Sequence, residues 1–526
     1  MLVAYYYQDN FNGGGQTFSV SEIFGARKFM SEKNSPAVFR IDPDETPLIF
    51  ELSKPGRRAF KLAAMEVPAQ PLDTLIPGKF LRKQPANLPE VDELAIVRHF
   101  TNLSKKNIGV DDAFYPLGSC TMKYNPKINE KACGLPGFAR IHPYQPEESV
   151  QGMLEVLYEL QNYLKEVSGL PAISMMPAAG AHGELTSLMV IKAYHRARGK
   201  NPSLVLIPDV AHGTNPASCT VCGYDVYTIH SSPNGSLDLD DLIAHLNENV
   251  AAVMITNPST LGLFEPDICK ITELAHKVGA LVYMDGANMN ALVGVAQPGK
   301  FGIDVMHFNT HKTFSTPHGG GGPGAGPIAV CEKLREFLPG YLVDKHKDDS
   351  YSLVRMANTI GKTRGFFGSV AILLRAYAYI RSMGCDGLAQ VGPMAVLNAN
   401  YIMRSLQNDY HLPHTDDCMH ECVFSASDQK RENNIRALDI AKRLLELHIH
   451  PPTIYFPMTV PEALMIEPTE TENKETMDRF IAVMKQIAKE AKEVPELLHA
   501  APRNMPVKRL NEVQAARSPI LRWKQA

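Results

Sequence analysis

Apolar and polar positions change rhythm twice along the chain. The first 46 residues hold no sustained period; "NFNGGGQTF" and "SEKNSPAVFRIDPDET" are rich in turn formers and predict an extension over 1–46. Residues 47–149 begin as a Pro-rich arm, "SKPGRRAFKLAAMEVPAQPLDTLIPGKFLRKQPANLPEV", in which frequent proline prevents long helices. From about residue 150 the pattern becomes regular. "SVQGMLEVLYELQNYLKEVSG" has apolar residues at helical spacing and a glycine stop, and "GELTSLMVIKAYHRAR" predicts a second helix. Short apolar runs then alternate with helical ones. "SLVLIPD", "AAVMITNP", "ALVYMDGA" and "DVMHFN" predict buried strands; "LDLDDLIAHLNEN" and "ITELAHKVG" predict the helices between them. This alternation predicts an α/β domain over 150–360, a large, mainly parallel sheet with helices on both faces. Over 361–526 the rhythm shifts again. The amphipathic stretches "NIRALDIAKRLLELHI" and "TMDRFIAVMKQIAKEAKEV", with "CVFSAS" between, predict a smaller C-terminal α+β domain.

Composition narrows the function classes. With 53 Lys and Arg against 56 Asp and Glu, the formal charge of -3 argues against a nucleic-acid binder or a polybasic membrane anchor. No apolar run reaches the roughly 18 residues of a membrane span, and the first residues lack the order of a signal peptide. Nine cysteines, an odd number, point to a reducing cytoplasm rather than a disulfide framework. Two clusters invite a sharper reading: Cys219 and Cys222 have redox-motif spacing, and His414, Cys418, His420 and Cys422 lie close together. Structural zinc needs a closed set of four ligands, so ordinary packing is the stronger reading of both, and no metal is expected.

The candidate chemistry starts in "HFNTHKTFSTPHGGGGPGAGPIAV". No Lys-Ser or Lys-Thr follows these glycines, so they are not a P-loop. Gly319, Gly321 and Gly324 match G-x-G-x-x-G, but a dinucleotide fingerprint opens a helix, and these run into the strand-like "GPIAV". Parallel sheets bind ligands at the carboxyl ends of their strands. Four such ends here carry polar residues: His212 and Asn215; Asn257, Ser259 and Thr260; Asp285 and Asn288; His311 and Lys312. The loop "PAAGAHGE" places Gly180, Ala181, His182 and Gly183 at the start of a helix, where free N–H groups suit a phosphate. Singly, each residue has an ordinary explanation: Lys312 a solvated lysine, Asp285 a turn residue, His212 a core histidine. Converging on one sheet edge, they match the needs of pyridoxal 5'-phosphate. Its aldehyde needs an amine (Lys312), its pyridine nitrogen a carboxylate (Asp285), its phosphate a helix N-terminus (Gly180 to Gly183), and its ring face a stacked imidazole (His212).

At these residues the chain resembles glycine decarboxylase, the pyridoxal-phosphate component of the glycine cleavage system. The resemblance extends to "LPEVDELAIVRHFTNLSKKNIGVDDAFYPLGSCTMKYNPK", "PAAGAHGE", "HGTNPAS", "MDGANMNA", "HPPTIYFPMTVPEALMIEPTETE" and "PVKRLNEVQAARSPILRW", from about Ile49 to the end. It implies the aspartate-aminotransferase-like fold type I. It also implies the lysine-bearing subunit 2 of the split enzyme, paired with a lysine-less subunit 1 as an α2β2 heterotetramer. The implied reaction decarboxylates glycine at Lys312 and passes the aminomethyl group to the lipoyl arm of the H-protein, with the T-protein and lipoamide dehydrogenase completing the system. Asn257, Thr260 and His311 are implied cofactor contacts, and Ser119, Cys120 and Thr121 lie in the family's active-site loop. Cys120 reads equally as a redox-sensitive thiol or a buried small residue. Arg140, His142 and Arg364 are candidates, on charge alone, for glycine's carboxylate. Residues 1–46 have no counterpart in the family and read as an added interaction segment or, preferably, translated upstream sequence. Other readings are another fold type I enzyme, such as a serine hydroxymethyltransferase or amino-acid decarboxylase, and a non-catalytic paralogue. The long flanking motifs count against the first, and Lys312 and Asp285 against the second.

Overall fold

The computed structural model describes residues 46–59, 63–84, 86–121, 123–318 and 324–522. Two compact units divide the chain after Leu103. In the first, the Pro-rich stretch is mainly irregular, as expected. Lys54 N donates to Glu90 O at 2.9 Å and Gly56 N to Glu90 Oε2 at 2.7 Å, which ties the two ends of that stretch together. One helix of 12 residues, Glu93–Ser104, follows the last of the prolines. The predicted extension lies outside the described residues, apart from its last position.

The second unit is built on a seven-stranded sheet. Its strands are β1 (Ala172–Ser174), β2 (Leu204–Pro208), β3 (Asp225–Ile229), β4 (Val250–Thr256), β5 (Leu281–Asp285), β6 (Val305–His307) and β7 (Ile328–Val330), in the order β1-β7-β6-β5-β4-β2-β3. The pairs β3·β2, β2·β4, β4·β5 and β5·β6 are parallel, and β7 runs against both its neighbours. The four predicted strands β2, β4, β5 and β6 are thus side by side. Their side chains alternate between two apolar cores. Val253, Ile255, Val282, Met284 and Met306 fill one face, and Ala252, Met254, Leu281, Tyr283 and Val305 the other. Burial on both faces is why these strands read as unbroken apolar runs. The edge strand β3 was not predicted. It pairs only with β2 and is largely open to solvent, so "DVYTI" lacks such a run.

The predicted helices stand as Gln151–Ser168, Gly180–Ala197, Leu239–His245 and Ile268–Lys277. Gln151–Ser168 ends on Gly169 at φ 69, the left-handed stop that its glycine foretold. A hairpin of β8 (Leu342–Lys345) and β9 (Tyr351–Val354) leads towards a helix of 37 residues, Val370–Leu406. Gly384 breaks its course at φ 66, ψ -176. Beyond it, β10 (Cys422–Ser425), β11 (Thr453–Ile454) and β12 (Ala463–Ile466) form an antiparallel sheet in the order β10-β12-β11. The predicted helices Ala437–Glu446 and Lys474–Glu493 pack on it through Ile440, Leu444, Phe480 and Met484. Among the described residues no helix is long and apolar enough to cross a membrane.

Gly286, just past β5, is where backbone meets backbone: a Cβ there would lie 1.8 Å from His307 O. Gly286→Ala is expected to destabilise the chain by about 3 kcal/mol, the upper range for overpacking. Urea denaturation measures it; an unchanged midpoint contradicts this packing.

Candidate functional site

Parallel pairing places the candidate chemistry. Thr256 and Asp285 are register partners at the carboxyl ends of β4 and β5. The next strand, β6, runs through Asn309 into the single helical turn Thr310–Thr313, which carries Lys312. On the other side of β4, β2 leads through Asp209 to His212 and Thr214. These strand ends and the start of helix Gly180–Ala197 surround a cavity of about 340 Å3. Lys312, Asp285, His212, Gly180, Ala181, Thr260, His311, Ser119, Cys120 and Asn288 all line it. Three larger cavities, of about 550, 840 and 510 Å3, contain none of them.

Asp285 is buried, 2% exposed. Its Oδ1 accepts from Ala287 N at 2.9 Å, its Oδ2 from Asn215 Nδ2 at 3.1 Å, and His307 Nε2 is 3.5 Å from Oδ1. Burial alone would raise this carboxyl, but facing His307, Lys312 and those two donors hold it below its usual range. Asn215 donates as well to Glu184 Oε2, at 2.9 Å. Glu184, also on the cavity wall, is pushed up to about 8, by burial first and then by the Asp285 charge. One amide therefore bridges two buried carboxyls that cannot both ionise cheaply; Asp285 keeps the charge and Glu184 the proton. Tyr283 Oη and His307 Nδ1, at 2.5 Å, fix the imidazole facing Asp285.

The other wall residues divide by role. Gly180 could take a side chain only if the Asn309 amide moved, since a Cβ would lie 2.1 Å from Asn309 Oδ1. The first N–H groups of its helix have no partner within the helix, which leaves them for an anion. His212 is exposed, its Nδ1 2.8 Å from Thr214 Oγ1 and its ring edge-on to Phe456. The His311 imidazole is pushed down to about 3 by burial and by His318, whose ring lies 4.5 Å away. Thr260 Oγ1 donates to Val210 O and so fixes the loop after β2.

Three expected site residues do not line the cavity. The His182 side chain turns back, its Nδ1 accepting from Ala178 N at 3.0 Å, which leaves its backbone as the part that can serve an anion. Asn257 is fully buried and its Oδ1 accepts from Glu265 N at 3.0 Å. Thr121 Oγ1 donates to Glu467 Oε1 at 2.9 Å. Arg140, His142 and Arg364 are also away from the wall; Arg364 Nη1 donates to Ser369 Oγ at 3.0 Å. Gly319 and Gly321 lie outside the described residues, and "GPIAV" ends in β7 as expected. Of the cysteine clusters, Cys219 and Cys222 share helix Thr214–Cys222, where burial pushes their thiols up to about 12 and about 11.

The wall fits pyridoxal phosphate. It offers one buried amine, one ionised carboxylate on a neighbouring strand, and a helix N-terminus. In addition, Thr256 Oγ1 and Asn288 Oδ1 are buried on it with no hydrogen-bond partner among the described residues. Such groups carry a desolvation cost that a polar ligand removes. Sequence reasoning missed Glu184, Thr256, Asn309 and His318. Glu184 had a signal, standing one helical turn beyond Gly180 on the same face.

Comparison with known proteins bears on the same residues. The family described as "Glycine cleavage system P-protein" matches residues 64–358, and "Glycine dehydrogenase, C-terminal domain" matches 391–509. The chain is 54% identical over 478 residues to a protein of Caldanaerobacter subterraneus subsp. tengcongensis named "Probable glycine dehydrogenase (decarboxylating) subunit 2", covering 90% of this chain and 98% of that one. A Thermotoga maritima protein of the same name is 53% identical, with 90% and 99% covered. Among solved structures, a glycine decarboxylase (P-protein) of the glycine cleavage system in inhibitor-bound form superposes with a TM-score of 0.66 at 20% identity, over 79% of this chain and 94% of that one. A cysteine desulfurase from Thermococcus onnurineus NA1 superposes at 0.57 and 15%, over 72% and 95%. The fold is the expected fold type I.

The proton on Glu184 has a consequence for stability. Between its ordinary value of 4.5 and about 8, the folded chain holds a proton that the unfolded chain has released, so the parent loses stability as pH rises through that window. Glutamine does not titrate. The stability of Glu184→Gln relative to the parent is therefore expected to climb from pH 5 to pH 8 and to level off above it. Urea midpoints of both chains at pH 5, 7 and 9 measure this; a difference independent of pH refutes the neutral carboxyl.

Proposed function

Since this chain belongs to the glycine cleavage system P-protein family, as a glycine dehydrogenase (decarboxylating) subunit 2, we propose that its reaction is carried at Lys312 on pyridoxal 5'-phosphate. The observation that supports this reading is the buried Lys312 and the ionised Asp285 at neighbouring strand ends, in one cavity with a helix N-terminus. Lys312 would provide the amine that holds the cofactor aldehyde. Asp285 keeps a proton on the ring nitrogen, helped by the donors that hold the carboxylate ionised. The backbone N–H groups of Gly180, Ala181 and His182 take the phosphate, and His212 covers the ring at the mouth. When bound, the cofactor supplies the sink for the electron pair left as carbon dioxide departs. Glycine then loses its carboxylate as carbon dioxide, and its aminomethyl group passes to the lipoyl arm of the H-protein, whose disulfide is reduced.

In this reading residues 47–149 are the arm and active-site loop, 150–360 the cofactor domain and 361–526 the small domain. The partners are glycine, the lipoyl H-protein and a lysine-less subunit 1 in an α2β2 heterotetramer, with functional links to the T-protein and lipoamide dehydrogenase, in the cytoplasm. The words "subunit 2" in the relatives' names support the paired assembly.

Borohydride reduction of the purified protein, followed by peptide mass mapping, is expected to place a pyridoxyl group on Lys312; a group on another lysine overturns the assignment. Asp285→Asn is expected to keep the cofactor but to slow decarboxylation by about 10²–10³, equivalent to roughly 3–4 kcal/mol of lost charge stabilisation. Single-turnover decarboxylation with saturating H-protein and partner subunit measures it. A rate within about threefold of the parent, well under 1 kcal/mol, makes Asp285 a turn residue.

A further inference from the structure

Ser119 and Cys120 wall the Lys312 cavity. Cys120 Sγ lies 3.5 Å from His318 Nε2, yet the backbone of their loop pairs with no strand of the seven-stranded sheet. It hangs from the small one. Leu117 forms an antiparallel bridge with Ile466 of β12, Gly118 N donates to Met465 O at 3.3 Å, and Glu467 N donates to Pro116 O at 3.1 Å. Thr453 Oγ1, on β11, donates to Gly118 O at 2.8 Å. Gly118 fits so closely that a Cβ would lie 2.1 Å from Met465 Cγ. Past Gly118 the backbone leaves the sheet, with Ser119 at φ 56, a left-handed conformation that residues with a side chain seldom adopt.

The next two N–H groups have no strand to pair with, and each finds a carboxyl oxygen. Ser119 N donates to Glu421 Oε2 at 2.8 Å, and Cys120 N to Glu467 Oε2 at 2.8 Å. Cys422 and Ile466 are register partners, so Glu421 and Glu467 stand together just beyond the same end of the β10·β12 pair. Both are wholly buried, 0% exposed. Lys123 Nζ is 3.7 Å from Glu467 Oε2, and donates to Leu117 O at 2.7 Å and to Cys120 O. His420 Nε2 is 3.5 Å from Glu421 Oε1.

We infer that Glu421 and Glu467 are positioning residues for the reaction at Lys312: by accepting the Ser119 and Cys120 amides, they hold that loop against the cavity. The link to the reaction rests on the functional reading above; the placement of the loop does not. Two adjacent buried carboxyls are tolerable when one is neutral. Glu421 is pushed up to about 8 by burial and by the Glu467 charge. Burial would raise Glu467 too, but Lys123 and His420 hold it below its usual range. Amide acceptance needs only a lone pair, so the neutral Glu421 still performs it, though less strongly than a carboxylate.

The test compares Glu421→Leu with Glu421→Gln in the full chain. Leucine fills similar space and accepts nothing, whereas the glutamine oxygen still accepts the Ser119 amide. Cys120, 8% exposed, reports on the loop through iodoacetamide labelling read by peptide mass. Glu421→Leu is expected to speed labelling of Cys120 at least tenfold and to lower kcat/KM for glycine, measured with partner subunit and H-protein, at least tenfold. Glu421→Gln is expected to stay within threefold of the parent in both. Unchanged labelling in Glu421→Leu, or a glutamine variant that behaves like the leucine one, overturns the inference. Faster labelling with unchanged kcat/KM also overturns the link to the reaction, while a pyridoxyl group on Lys312 still upholds the functional reading. Should Glu421→Leu not fold, amide exchange on the parent chain decides. Slow exchange at Ser119 and Cys120, at least a hundredfold below the exposed turn residues Lys347 and Asp348, supports the inference; exchange as fast as at those two residues overturns it.

Discussion

The constraint on which the rest of the structure depends is the ionised Asp285 carboxylate kept out of water at the end of β5. A buried carboxylate costs several kcal/mol unless its surroundings replace its hydration. Here each replacement comes from a different element. Ala287 N comes from the turn after β5, Asn215 from the helix after β2, His307 from β6, and Lys312 from the turn after β6. Only a parallel sheet with β2, β4, β5 and β6 side by side brings those elements to one edge. The same field bears on Glu184, which shares an amide with Asp285 and keeps its proton because of burial first and the Asp285 charge second. The cavity thus holds one carboxylate and one carboxylic acid, with different chemical capacities, although the residue types alone suggest two anions.

How much of this could be read from the chain follows the range of the interactions. Doubly buried strands announce themselves in consecutive residues, and β2, β4, β5 and β6 stood where their apolar runs lie. The exposed edge strand β3 and the two-residue β11 bury too little to leave such a pattern. That Lys312, Asp285, His212 and Gly180 meet at one cavity was legible because strand-end position is local and parallel order follows from the alternation. Side-chain direction was not: His182 stands in the right turn and points the wrong way, capping Ala178. Least legible were the contacts of Ser119 with Glu421 and of Cys120 with Glu467, which join residues 302 and 347 positions apart. No periodicity encodes a pairing at that distance.

Those long-range contacts separate stability from geometry. Strand pairing and the apolar core around Phe424, Leu464 and Phe480 already account for the cohesion of the small sheet. The charges at its end add little to that. A buried ion pair such as Lys123 with Glu467 is often no more stabilising than apolar residues of the same volume, and a second carboxyl beside it is a further cost. What apolar residues could not provide is an acceptor for each of two N–H groups that leave the sheet in a left-handed turn. The buried carboxyls are thus best understood through the backbone they hold. The small sheet reaches the Lys312 cavity by that backbone, so one cavity wall is tied to the end of β12 as well as to the segment after β6 that holds Lys312 and His318.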